Sequence, residues 1–257
     1  MIHPSAVIDQ SARIAEDVTI GPYSIIGENV EIGAGCDISS HVVIGRNTII
    51  GKHNRIFQFS SVGEEPIDRS FRGEFSQLIL GDHNIIREGA TLHGGTAKED
   101  GITRVGSHNL IMNYVHIGHD CVVGNHVTLV NNAGLAGHVH VDDFATIGVS
   151  CGIHQFCHVG AYAFLSHMSL ITQDVPPYLM VASSPSTSPC GINVEGLKRA
   201  GFSAESIRGL REAYKIIYRQ GLRLVEAVEK LKTLEAALPE VRPFIDLLEN
   251  SKRGIIR

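Results

Sequence analysis

Broken every six residues, positions 19–56 read TIGPYS IIGENV EIGAGC DISSHV VIGRNT IIGKHN RI. The second residue of each group is Ile, the third is usually Gly, and the sixth is nearly always small. Working outward, the aliphatic position recurs without a miss from Ile2 to Val62 and returns in the same frame at Leu80, Ile86 and Leu92. After a shift of one residue it runs on from Val105 to Ile171. Ile, Leu and Val make up 69 of 257 residues, yet they fill all 26 of these positions. A period of six matches neither a helix nor a simple alternating strand. It fits a parallel β-helix of hexapeptide repeats, in which the aliphatic residue i and the small residue i+4 point inward from a short strand. Three hexads make one triangular coil of 18 residues, and coils stack at the strand spacing of about 4.8 Å.

The frame also assigns many polar residues. Position i+3 holds Ser5, Ser11, Asp17, Asn29, Gly35, His41, Asn47, His53, His83, His108, Asp120, Asn132 and His138, types that tolerate positive φ at a corner. Corners therefore account for several of the 14 histidines. Cys36, Cys121, Cys151 and Cys157 fall at the small interior position, where a thiol acts as a small hydrophobe. Cys190 lies outside the frame, and five cysteines are not a disulfide framework.

Two stretches interrupt the repeat: residues 64–79, EEPIDRSFRGEFSQLI, and residues 97–104, AKEDGITR. Solenoids place function on such insertions, and a solvated loop is the plainer alternative. The Ser/Pro-rich residues 183–189 read as a connection. Ser203 then caps a helix carrying Ile207, Leu210, Tyr214 and Ile217, closed by Gly221; further helices are expected over 222–236 and from Pro239 to about Ser251. The expected organisation is a β-helix over 1–190 followed by a helical domain over 191–257.

Composition narrows the function. With 43% apolar and 19% charged residues the chain is not disordered, and a net charge of −5 argues against non-specific nucleic-acid binding. Residues 1–190 hold 9 Lys/Arg against 18 Asp/Glu, while residues 191–257 hold 13 against 9. The basic second part can face an acidic partner. Met1-Ile-His-Pro has no signal-peptide pattern, and no apolar run approaches the roughly 20 residues of a membrane span, so a cytoplasmic protein without an integral membrane segment is expected.

Hexads starting at 117, 135 and 153 are 18 apart and carry His119, His138 and His154, with His116 at the corner leading into them. Such a column has two chemical readings. One is a metal site, as in the gamma-class carbonic anhydrases built on this solenoid. Their pattern separates two ligands by four residues on one coil, whereas only two separate His116 and His119. The other is acid/base catalysis, since imidazole titrates near neutrality and Asp120 directly follows His119.

HIGHDCVVGN at 116–125, NNAGLAGHVHVDDFATIG at 131–148, HQFCHVGA at 154–161, QDVPPY at 173–178 and NVEGLKRAGF at 193–202 resemble the UDP-N-acetylglucosamine acyltransferases, which open lipid A biosynthesis. The match covers essentially the whole chain. The resemblance implies a left-handed β-helix, a homotrimer with active sites between neighbouring solenoids, and no metal or other cofactor. It implies transfer of an (R)-3-hydroxyacyl chain from acyl carrier protein to the glucosamine 3-hydroxyl of UDP-N-acetylglucosamine. His119 matches the general base, Asp120 its carboxylate partner, and the Gly137 N–H the donor to the thioester oxygen. Asp68, His93, His116, His138, His154, Gln155, Asn193, Glu195 and Arg199 match positions that bind the nucleotide sugar or the acyl and pantetheine groups.

Three positions depart from the pattern. Ser70 stands where the family commonly has Lys, with Arg69 and Arg72 as nearby cations, and Ala200 stands where a second basic residue often follows Arg199. His167 occupies the acyl-chain ruler, where a bulky side chain implies a chain shorter than 14 carbons. Acyl transfer to a 3-amino sugar analogue, another hexapeptide-repeat acyltransferase and a zinc hydratase are the alternatives. An N-acyltransferase acting later in the same route would bring an additional N-terminal uridine-binding domain, whereas these hexads start at residue 2.

Overall fold

The computed structural model describes residues 1–183 and 186–257; residues 184 and 185, inside the expected connection, lie outside the described residues. Two-residue strands recur from Val7–Ile8 to Leu170–Ile171, and each pairs in parallel with the strand one coil on, as in Val7↔Ile25 and His140↔His158. Among the described residues they form sheets of nine, eight and ten strands, the three faces of a left-handed β-helix. Faces one, two and three begin at Val7–Ile8, Arg13–Ile14 and Thr19–Ile20. Every aliphatic residue of the repeat is buried except Ile2, Ile8 and Ile14, which belong to a first coil with no coil beneath it.

The corners follow the expectation from Asn29 onward, where Asn29, Gly35, His41, Asn47, His53, His83, His108, Asp120, Asn132 and His138 all have positive φ. Ser5, Ser11 and Asp17 do not. In later coils the corner N–H donates to a carbonyl one coil below, His41 to Pro22 and His53 to Ala34, and the first coil has no such acceptor. Sequence reasoning also missed the aromatic corners. His53, His83, His108, His126, Phe144 and Tyr162 stack with ring centroids 4.7–4.8 Å apart, so face-to-face contact at the coil spacing offsets an unfavourable φ.

Asn54, Asn84 and Asn109 form a ladder at the buried i+4 position: each side-chain oxygen accepts an N–H from the coil above, and each amide donates to a nearby glycine carbonyl. The four interior cysteines are buried; burial pushes the Cys121 thiol up to about 12 and Cys157 to about 11, which makes them inert. Cys190 is exposed.

The insertions widen the pairing from 18 residues to 30 at Ser61↔Thr91 and to 25 at Thr91↔His116. The first adds two whole hexads and keeps the frame; the second adds one hexad plus one residue and shifts it. Their C-terminal ends are not loops as expected, because Gln77–Leu80 and Ile102–Val105 are strands that pair with each other in parallel.

A short helix not anticipated as a separate element, α1 (Val194–Arg199), precedes α2 (Ala204–Tyr218), α3 (Leu224–Glu235) and α4 (Arg242–Asn250). Asn193 and Ser203 cap the first two, their side chains accepting from the Gly196 and Ser206 N–H groups. Phe202 and Phe244 pack on Tyr178 at the end of the solenoid, and the C-terminal tail pairs with Asp174. This closes the last coil, as solenoids require. Among the described residues no helix is long and apolar enough to cross a membrane.

Candidate active site

The corner between faces one and two carries a buried polar cluster. His119 Nδ1 lies 2.7 Å from Asp120 Oδ2, with side-chain exposures of 7% and 0%. Asp120 also accepts from the Thr96 N–H and hydroxyl, both at 2.7 Å, and its own N–H donates to Thr103 Oγ1. Burial alone would raise the Asp120 carboxyl, but the bonds from His119 and Thr96 outweigh it and hold the pKa below the ordinary value. An ionised Asp120 makes His119 Nδ1 the donor, which leaves Nε2 as the basic nitrogen. His138, one coil up, places Nε2 3.7 Å from Asp120 Oδ2 and Nδ1 3.3 Å from Glu99 Oε1. The ligand atoms of His119, Asp120 and His138 lie within 4.8 Å of one another, but His119 Nδ1 and both Asp120 oxygens are already hydrogen-bonded.

Gly137 is sterically required. A Cβ there would lie 2.4 Å from His119 Cε1 and 2.6 Å from Nε2, so the ring rests directly on its backbone. The Gly137 N–H has no acceptor among the described residues.

His116 is not at a corner, as expected, but faces outward from strand His116–Ile117, its Nδ1 3.0 Å from Thr91 Oγ1. Burial, then the neighbouring His93 and His119, push its pKa down. His93 is buried, its Nδ1 donating to the Glu65 carbonyl at 2.8 Å. From His116 a groove of 490 Å³ climbs face one over Gly134 and Gly152 to Leu170, with exposed His154 on its rim. Gln155 is exposed beside it. His167 is also exposed, on the corner after Phe164–Leu165, and does not line this groove.

Two expected groups stand apart. Asn193, Glu195 and Arg199 line a separate groove on face three with Thr146, Phe164 and Met180. Within one chain they do not meet His119. Asp68, in the first insertion, takes Lys98 Nζ on Oδ2 at 2.6 Å and the Ser70 N–H and hydroxyl on Oδ1. Thr96, Thr103, Lys98 and Glu99 escaped sequence reasoning. Only Thr96 left a signal, since it sits at the interior position four after Leu92.

The family model described as "Udp N-acetylglucosamine O-acyltransferase; Domain 2" matches residues 174–256, and the bacterial transferase hexapeptide model matches residues 1–34, 23–58 and 102–137. The acyl-(acyl-carrier-protein)–UDP-N-acetylglucosamine O-acyltransferase of Pseudomonas entomophila is 56% identical over 256 residues, covering 100% of this chain and 99% of its own. The chain belongs to the UDP-N-acetylglucosamine O-acyltransferase family. Among solved structures, the UDP-N-acetylglucosamine acyltransferase of Francisella novicida superposes with a TM-score of 0.98 at 53% identity, covering 100% of this chain and 94% of the other. LpxA from Acinetobacter baumannii gives 0.97 at 49%, covering 100% and 99%. The site of this UDP-N-acetylglucosamine O-acyltransferase family member thus joins an imidazole held by a buried carboxylate to a backbone N–H that has no acceptor among the described residues.

Proposed function

We propose that the protein transfers an (R)-3-hydroxyacyl chain from acyl carrier protein to the glucosamine 3-hydroxyl of UDP-N-acetylglucosamine, the opening step of lipid A biosynthesis. The His119–Asp120 pair, buried and pinned by Thr96, carries the reading. His119 Nε2 takes the proton of the hydroxyl as its oxygen attacks the thioester carbonyl. The Gly137 N–H donates to the oxygen that gains negative charge. As the tetrahedral centre collapses, the C–S bond breaks and the carrier thiolate takes the proton from the imidazolium, which Asp120 has stabilised. The groove from His116 to Leu170 is apolar and open along face one, a fit for the acyl chain.

The proposal includes a cytoplasmic homotrimer. The histidine corner and the Asn193–Arg199 groove lie on different faces of one chain, and a second copy that brings its face three against the first copy's corner would join them. His93, His116, His138, His154, Gln155 and Asp68 would hold sugar or acyl groups on one copy, and Asn193, Glu195 and Arg199 on the other.

His119→Ala tests the reading. Its rate of transfer should fall about 10²–10⁴-fold, the span of general-base catalysis, with the circular dichroism unchanged. Retained activity in a folded trimer would remove His119 from the mechanism.

A further inference from the structure

Three residues within the four-residue stretch 96–99, where the second insertion begins, reach three different side chains. Thr96 binds Asp120 with its N–H and hydroxyl, Lys98 binds Asp68, and Glu99 lies against His138. The Lys98 N–H folds back onto Thr96 Oγ1 at 3.3 Å, so the hydroxyl that holds Asp120 also holds the turn carrying Lys98.

The cation at Asp68 does not come from the first insertion. Ser70 supplies only an N–H and a hydroxyl, both to Oδ1. The Arg72 guanidinium is spent on the carbonyls of Arg69 and Phe71. Lys98, 30 residues along the chain, meets Oδ2 at 2.6 Å, with side-chain exposures of 53% for Lys98 and 11% for Asp68. Asp68 is thus largely covered and Lys98 open on one side.

Resting on the proposed acyl transfer to a nucleotide sugar, we propose that Lys98 is the positioning cation of the acceptor subsite. It holds the Asp68 carboxylate in place, supplying from the second insertion the charge absent at position 70. An ammonium has three donors, and Asp68 takes one. The Lys98 bond is the largest of the influences that hold Asp68 far below the usual carboxylate range, ahead of those from Ser70. Lys98 thus favours the Asp68 anion, and without Lys98 its side chain is fixed by Ser70 alone.

The test is steady-state kinetics with both substrates varied. Lys98→Ala should raise the KM for UDP-N-acetylglucosamine about three- to tenfold, the effect of a charge-assisted bond discounted for solvent. The KM for acyl carrier protein and the melting temperature should not change. Lys98→Ala combined with Ser70→Lys, which returns the cation to the first insertion, should recover most of the loss. In an Asp68→Asn background, Lys98→Ala should add nothing. An unchanged sugar KM in Lys98→Ala, a loss confined to acyl carrier protein, a failed rescue in folded protein, or additive effects with Asp68→Asn would each overturn the proposal. Wild-type protein that transfers no acyl chain to this sugar would sink the functional reading instead, before any variant is compared.

Discussion

Gly137→Ala puts the arrangement of the His119 ring to its hardest test. The added methyl would lie 2.4 Å from His119 Cε1, 2.6 Å from Nε2 and 3.0 Å from Nδ1, where ordinary contact begins at 3.4 Å. Gly137 does not have positive φ, so alanine carries no backbone penalty and the strain falls on the ring. The ring must retreat by about 1 Å, and it is held on the far side by a 2.7 Å bond to an Asp120 that Thr96 fixes in turn. It can move only by lengthening that bond or turning Nε2 off the line of attack. A misplacement of about 1 Å costs on the order of 10²-fold in rate, or about 2.7 kcal/mol of barrier. Overpacking costs about 1–3 kcal/mol of stability, a shift of a few degrees. The assay is transfer of radiolabelled acyl chain from acyl carrier protein to UDP-N-acetylglucosamine, with kcat compared at saturation and folding followed by circular dichroism. A kcat within threefold of wild type would refute the claim that the Gly137 backbone sets the ring.

Three other outcomes follow from the same contacts. Asn84→Ala removes the bonds to Asn54 and Gly106 and strands the buried Asn109 N–H; at about 1–3 kcal/mol per unpaired group the melting temperature should drop by about 2–12 °C, and a drop under about 1 °C would show the ladder to be dispensable. Asp120 has a folded pKa below its ordinary 3.8, so its contribution to stability is present above about pH 4 and is lost as the pH falls through the folded value. Urea midpoints of wild type and Asp120→Asn should therefore begin to converge only as the pH falls below 3.8, and a constant gap would contradict the assignment. For chain length, the bulky Leu170 that ends the groove implies donors shorter than 14 carbons, and Leu170→Gly should extend the accepted chain; a wild-type preference for 14 carbons would defeat the steric argument.

The repeat was legible because a hexapeptide solenoid is written locally. Each inward residue meets its equivalent one coil away, so Ile20, Ile26 and Ile32 need no knowledge of distant contacts to declare themselves. Cys121 and Cys157 could be assigned to the core on the same ground. The frame misled where that translational logic ends: at Ile2, Ile8 and Ile14, which have no coil beneath them, and at the ends of the insertions, where Gln77–Leu80 and Ile102–Val105 rejoin the sheet through each other. It also passed over aromatic corners such as Phe144 and Tyr162, whose unfavourable φ is offset by a ring stacked on each side.

The candidate site divides along the same line. His119 and Asp120 are adjacent in the chain and could be paired from the sequence, and period six placed His138 one coil away. That Thr96 holds Asp120, that Lys98 rather than Arg69 or Arg72 reaches Asp68, and that Asn193, Glu195 and Arg199 face away from His119 in a single chain came only from the folded coordinates. Periodicity propagates along a solenoid, so composition and spacing suffice for its core. Insertions and side chains that cross between coils obey no period, and their partners are chosen by packing in three dimensions.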